Sequence, residues 1–404
     1  PVVLSNQQLS LVETRTKSGY RRLKGPAGSG KSLVLAARAA ELAASGKSVL
    51  VVTYNITLLN YLRDLCARWC TDKGKRTAFV NQITWLNYHR WCKRLCLDAD
   101  LKSEYNELWV DKDGDSSHSA SDFALREGLP KLALRAIGID AQTYDAILVD
   151  EGQDIYPLWW ETLRRVLASG GEMVLCSDST QDLYESAANW TDVSMTNAGF
   201  RGPWVALDTS YRLPQEIVEL AGDFAIEHLC EETVDLPVSQ QLELPGLFPC
   251  KIHRSEAAPS NLVEEAIKQV ANLILDNPSA DELAMADVTF LVDTKEIGKR
   301  LVLRLEELGV HTTQSFGRFV NGKIIDDWDN VRRQKMCFYK GAATVKVTTI
   351  HCFKGWESTA VVLLLSKPGN ARTYAEIYTA ITRVRRSRTG SQLSIVRTPK
   401  APIL

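Results

Sequence analysis

The first half of the chain alternates between short, uninterrupted apolar runs and longer stretches in which apolar positions recur every three or four residues. "KSLVLAARAAELAASG" (31–46) has the helical period and closes on Gly46. "SVLVVTY" (48–54), "AILVD" (146–150) and "EMVLCSD" (172–178) are continuous apolar runs of strand length. Two helical stretches separate the first pair, and a helix over 159–167 precedes the last. Strands without polar alternation must be covered on both faces, so this pattern predicts a parallel sheet between layers of helices. A second unit of the same kind begins near Val205. Its expected strands are "KIHR" (251–254), "DVTFLV" (287–292), "TVKVTTI" (344–350) and "TAVVLLL" (359–365), and its helices are "NLVEEAIKQVANLIL" and "KEIGKRLVLRLEELG". The expectation is an α/β protein in two units, 1–204 and 205–404.

Composition changes this picture little. At 404 residues the chain can bury two or three separate cores. The longest apolar run, 359–365, is far short of a membrane span, so no membrane partner is expected. Nine cysteines, an odd number, and no visible secretory leader predict reduced thiols and a cytoplasmic or nucleoid-associated protein. A start at Pro1 rather than Met fits a chain cut from a longer polypeptide. The net charge of −1 leaves a nucleic-acid partner open, since a local basic groove would suffice. The polar run "DKDGDSSHSASD" (111–122) spaces carboxylates like a calcium loop. Its glycine is fourth rather than sixth and its last residue is Asp122 rather than Glu, so a solvated loop is expected.

The chemistry begins at "GPAGSGKS". Gly25, Gly30, Lys31 and Ser32 fit G-x-x-x-x-G-K-[ST], with Pro26, Ala27, Gly28 and Ser29 between them. Glycines let the backbone curl so that successive N–H groups face phosphate oxygens, and the following helix adds its positive end. In such a loop Lys31 reaches the β- and γ-phosphates of ATP and the Ser32 hydroxyl holds Mg2+. Asp150, at the end of an apolar run, is the second Mg2+ residue, and its neighbour Glu151 is placed to orient or deprotonate water. Asp150 and Asp178 both fall at carboxyl ends of expected strands, where ligands of such sheets bind. The expectation is an ATPase.

Further segments, in order along the chain, carry a family resemblance. "LSNQQ", "VVTYN", "NYHRWCKRLC", "VDEGQD", "SDSTQDLY", "LDTSYRLP", "VTTIHCFKGWES" and "IYTAITRVRRS" together resemble the motifs of superfamily 1 helicases of the UvrD/Rep/PcrA type. The resemblance implies two RecA-like domains with ATP in the cleft between them. It makes Gln8 the adenine reader, Gln153 the link between nucleotide and DNA, and Gln181 the γ-phosphate sensor. Tyr211 would stack on adenine, Glu357 would lie near the ribose, and Arg212 and Arg383 would reach the γ-phosphate. Thr349, His351 and Lys354 would lie near DNA, as would Tyr54, Asn55 and His89 from the two early motifs. Arg385, Arg386 and Arg388 read as a solvated basic face. Function by resemblance is an ATP-dependent motor on single-stranded DNA. A nucleotide-gated clamp or regulatory ATPase that does not move, and an RNA motor, stay open.

The pattern departs from the family at three places. The tyrosine of the third motif, Tyr184, is followed by Glu185, Ser186 and Ala187 where relatives carry a base-stacking tryptophan. Trp190 could substitute if its loop folds back; otherwise Trp85, Tyr88 and Tyr54 are stacking candidates, each with core packing as the alternative. The first inserted domain of the family is reduced to a small, mostly helical insertion within about 60–140. The second has at most a short irregular stretch, 315–343, which favours translocation over strand separation. Compact engines of this sort occur fused to NERD-type nucleases, so a fused or associated nuclease is a possible partner. Cys66, Cys70, Cys92 and Cys96 sit in two pairs one helical turn apart, as either ligands of a metal or buried helix-face thiols.

Overall fold

The computed structural model describes residues 4–74, 77–109, 123–178, 197–207, 209–210, 212–229, 238–239, 249–275, 284–339 and 341–404. Two six-stranded sheets, every pairing in them parallel, organise these residues. The first contains β1 (Tyr20–Lys24), β2 (Val49–Thr53), β3 (Thr84–Asn87), β4 (Tyr144–Asp150), β5 (Leu167–Ser177) and β6 (Val205–Ala206), in the order β3-β2-β4-β5-β1-β6. Its helices are α1 (Asn6–Glu13), α2 (Lys31–Ala44), α3 (Leu58–Asp72), α4 (Tyr88–Asp98), α5 (Lys102–Glu107), α6 (Leu129–Ile139) and α7 (Pro157–Arg164). Strand β2 explains the continuous apolar run, since all five of its residues are buried. Val49 and Val51 face one core with α2 and α3, while Leu50 and Val52 face another with α4, α6 and α7. Alternation at period two sends neighbouring side chains to opposite faces, so a strand covered twice has no solvent-facing position.

The second sheet follows a short pair, β7 (Thr209–Ser210) with β8 (Val238–Ser239), and the helix α8 (Gln215–His228). The further elements are β9 (Cys250–Glu256), α9 (Leu262–Leu275), β10 (Val288–Val292), α10 (Lys295–Glu307), β11 (Thr312–Gln314), β12 (Arg318–Val320), β13 (Lys323–Ile325), α11 (Trp328–Cys337), β14 (Val345–Thr349), α12 (Ile350–Phe353), β15 (Ala360–Leu365), α13 (Ala371–Ile381) and β16 (Ser391–Arg397). The order is β11-β14-β10-β15-β16-β9. Val361, Leu363 and Leu365 of β15 pack with α8 and α13, and Val362 and Leu364 pack with α9 and α10. Among the described residues no helix is long and apolar enough to cross a membrane.

Several expectations are corrected here. Val205 and Ala206 pair with Leu23 and Lys24, so they close the first sheet rather than open the second unit. The helix expected over 159–167 ends at Arg164, and Leu167 already begins β5. Within 60–140, β3 is the edge of the first sheet and α3 and α4 pack into its two cores, so these three elements belong to the layer structure rather than to an insertion. Among the described residues of 315–343, β12 and β13 form an antiparallel hairpin, and the helix α11 follows.

Candidate functional site

The loop between β1 and α2 turns on Gly28 and Gly30, with φ of 80° and 87°. A side chain there would also have to displace a neighbour. A Cβ on Gly28 would lie 2.5 Å from Ser210 Oγ, and one on Gly30 would lie 2.5 Å from Gln8 Nε2. Gln8 is held by a capping box with Ser5 and donates to the Ser29 carbonyl at 2.9 Å, so it braces the loop from α1. Lys31 Nζ folds back onto the carbonyls of Gly25 and Pro26 and lies 3.4 Å from Asp178 Oδ2. Ser32 Oγ donates to Asp150 Oδ2 at 2.8 Å.

Asp150 ends β4 and is buried between β2 and β5. Burial, then the charge of Glu151, push its carboxyl up to about 7, against the Ser32 hydrogen bond and the Lys31 charge. Glu151 is one of three non-glycine residues with positive φ among those described, at 54°. This left-handed conformation is uncommon outside glycine and marks a locally strained turn. The turn is also crowded, because a Cβ on Gly152 would meet Leu175 Cδ1 at 2.5 Å. Burial disfavours the Glu151 charge, but Lys354, Lys31 and Arg383 outweigh it and hold the carboxyl below the ordinary range. Gln153 Nε2 donates to Glu151 Oε2 at 2.6 Å and Gln153 Oε1 accepts from Asp178 N at 3.0 Å.

The second sheet's side supplies cations to the same place. Arg212 Nη2 donates to the Thr382 carbonyl at 2.9 Å, and its Nε lies 3.7 Å from Glu357. Arg383 is buried and donates to Thr379 O at 2.8 Å. Burial, then the neighbouring Arg212 charge, lower its pKa to about 10, so it stays charged at neutral pH. Gly28, Lys31, Ser32, Glu151, Arg212 and Arg383 line one cleft of about 580 Å³, with Gln8 and Glu357 at its wall. Arg386 lines it too, rather than a solvated face, while the half-exposed Arg385 lies 3.7 Å from Glu357 and Arg388 is exposed as the charge run suggested. The run itself was the only signal for Arg386. No family model matches this chain, and no curated protein does.

A second cleft, of about 460 Å³, lies between the two sheets' elements and brings together Tyr54, Asn55, His89, Thr349 and His351. Its walls are tied across the halves. Asn55 Nδ2 donates to the carbonyls of His351, Cys352 and Lys354 at 3.2–3.3 Å, and Thr57 Oγ1 to that of Cys352. Three of the expected strand contacts are elsewhere. Trp85 is buried with its Nε1 donating to Val80 O at 2.9 Å, because β3 turns it into the core shared with α2 and α3. Tyr88 is fully buried and stacks on Trp159 with ring centroids 4.5 Å apart. Lys354, 1% exposed, binds both carboxylate oxygens of Asp154 at 2.8 Å and lies 3.5 Å from Glu151. A buried ammonium needs such a partner, which takes Lys354 away from solvent.

Gln181, Tyr184, Trp190, Tyr211 and the 111–122 loop lie outside the described residues. The cysteine pairs do not meet. Cys66 and Cys70 belong to the core on one face of the first sheet and Cys92 and Cys96 to the core on the other. Burial raises the Cys66, Cys92 and Cys96 thiols, the opposite of what thiolate ligation needs. Among the described residues no group of three or more His, Cys, Asp or Glu is arranged to hold a metal.

Proposed function

We propose that the chain is an ATP-dependent motor of the superfamily 1 helicase kind, built of two RecA-like domains and acting on single-stranded DNA. The observation that carries this reading is the single cleft lined by a glycine loop, Glu151 and Asp178 from one half and by Arg212 and Arg383 from the other. The residues fit the nucleotide. Two glycines whose Cβ positions are already filled bring bare backbone to the cleft floor, as a polyphosphate requires. Ser32 and Asp150 present two hard oxygens in contact, a donor set suited to a Mg2+ that keeps waters and phosphate oxygens as its other ligands.

Bound Mg2+ would supply charge neutralisation at the β- and γ-phosphates. Lys31 would leave its loop carbonyls for the phosphates, and the buried Asp150 would retain its charge beside the cation. Glu151, kept ionised by three cations, can accept a proton or hydrogen bond from water. Arg212 and Arg383 would fork onto the γ-phosphoryl oxygens, a contribution of about 10³–10⁵ in rate for one such finger. A contact path links this chemistry to the second cleft. Glu151 touches Lys354, whose carbonyl is held by Asn55, and Asn55 lines that cleft. A strand there would feel the closing of the halves on nucleotide.

The test is the steady-state ATPase rate alone and with single-stranded DNA, duplex DNA and single-stranded RNA. Strong stimulation by single-stranded DNA is expected. Stimulation by RNA alone would reassign the track, and slow hydrolysis indifferent to all three would make the chain a clamp or regulatory ATPase.

A further inference from the structure

Beyond the two clefts, the small helix α11 faces α4 and α5 of the first half across a third groove of about 290 Å³. Five cations line it: Arg90 and Lys93 from α4, Lys295 at the start of α10, and Arg332 and Lys335 from α11. No aspartate or glutamate lines it, and among the described residues none of the five is ion-paired. For a chain of net charge −1 this concentration of one sign is a local field that attracts an anion. Aromatic rings interleave with the cations. Tyr105 and Trp109 sit edge to face at 5.7 Å, Lys93 lies 4.9 Å from the Tyr105 ring, and Arg332 lies 5.0 Å from the Trp328 ring. Trp328 is 68% exposed and α11 has no buried residue, so neither is needed for a core. Asn60 fixes α11 from the other half by donating to Met336 O at 2.8 Å. Burial raises the Tyr105 pKa, while its hydrogen bond to Trp109 and the Arg332 charge oppose the rise.

We infer that this groove is an additional single-strand binding site, in which Trp328, Tyr105 and Trp109 stack exposed bases and the five cations hold the phosphodiester backbone. The inference rests on the proposed nucleic-acid function and adds residues from α5 and α11 to it. Cations alone would suit any polyanion. The rings between them, Trp109 and Trp328 exposed and Tyr105 half-buried, select a polyanion with flat apolar groups, and a groove of this volume takes part of an extended strand rather than a duplex. It continues the second cleft, with which it shares Ile56, Asn87, His89, Lys295, Val331 and Lys335.

The experiment is equilibrium binding of a fluorescein-labelled dT oligonucleotide by the full chain, read by anisotropy over a salt series. Wild type, Trp328→Ala and Arg332→Ala are compared on the dT strand and on an abasic strand of equal length. Trp328→Ala is expected to weaken binding to dT by about tenfold and to have little effect on the abasic strand. Arg332→Ala is expected to reduce the slope of log affinity against log salt by roughly 0.7 on both strands. Unchanged melting midpoints check that the variants fold, as a helix with no buried residue predicts. If wild type binds dT and both variants match it at every salt concentration, the groove is overturned and the nucleic-acid reading stands. If wild type binds neither strand but binds polyglutamate, the partner is an acidic protein and both readings fall.

Discussion

Glu151 carries the most information of any single residue. Its carboxyl is held ionised by surrounding cations, and its backbone is in a conformation that a side chain tolerates poorly. Replacing it with Gln keeps the shape and removes the charge. Turnover is expected to fall by about 10²–10⁴ while nucleotide affinity is retained, measured by ATPase rate against binding of a fluorescent ATP analogue. His89 gives a pH signature. Burial lowers its pKa from 6.5 to about 4, with a hydrogen bond to the Leu125 backbone opposing the shift. As pH falls, the unfolded chain takes up this proton near 6.5 and the folded chain only near 4. The stabilisation is therefore complete above about 6.5 and is lost across the interval down to about 4. Urea unfolding between pH 7 and 4 should show His89→Gln losing less stability than wild type, and equal losses would reject the assignment.

At the scale of elements, legibility followed continuity of the apolar run. Strand β15 was readable because both faces are covered and all six residues are buried. Leu363→Ala there should cost about 2–5 kcal/mol by urea titration, since the sheet and two helix layers leave little room to collapse. Strand β16 escaped the same reading. Its sequence "SQLSIVR" places Ser391, Gln392 and Ser394 in buried positions, so no apolar run marks a strand that pairs on both sides. Helix α11 was hidden for the converse reason. It has no buried face, so hydrophobic periodicity had nothing to report, although Asp327 caps it by accepting from Asn330 N.

For the whole molecule, the decisive contacts join residues distant in sequence. Lys354 and Asp154 form a buried pair across the two halves, 200 residues apart. Lys354→Ala would leave Asp154 charged and poorly compensated in the interior, at a cost of roughly 3–5 kcal/mol in thermal or chemical unfolding. Lys354→Met with Asp154→Leu should cost less, and a double variant as unstable as the single would sink the pairing argument. The sequence by itself determined two α/β units, the glycine loop and the acidic pair. Each of these rests on spacing along one strand, one turn or one helix, where local sterics decide the backbone. Tertiary structure alone decided that Lys354 and Tyr88 are interior while Arg386 lines the cleft, and that the cysteine pairs lie on opposite faces of a sheet. Those outcomes depend on which surfaces the two sheets present to each other. Burial and charge pairing between distant segments select that arrangement, and no local spacing encodes it.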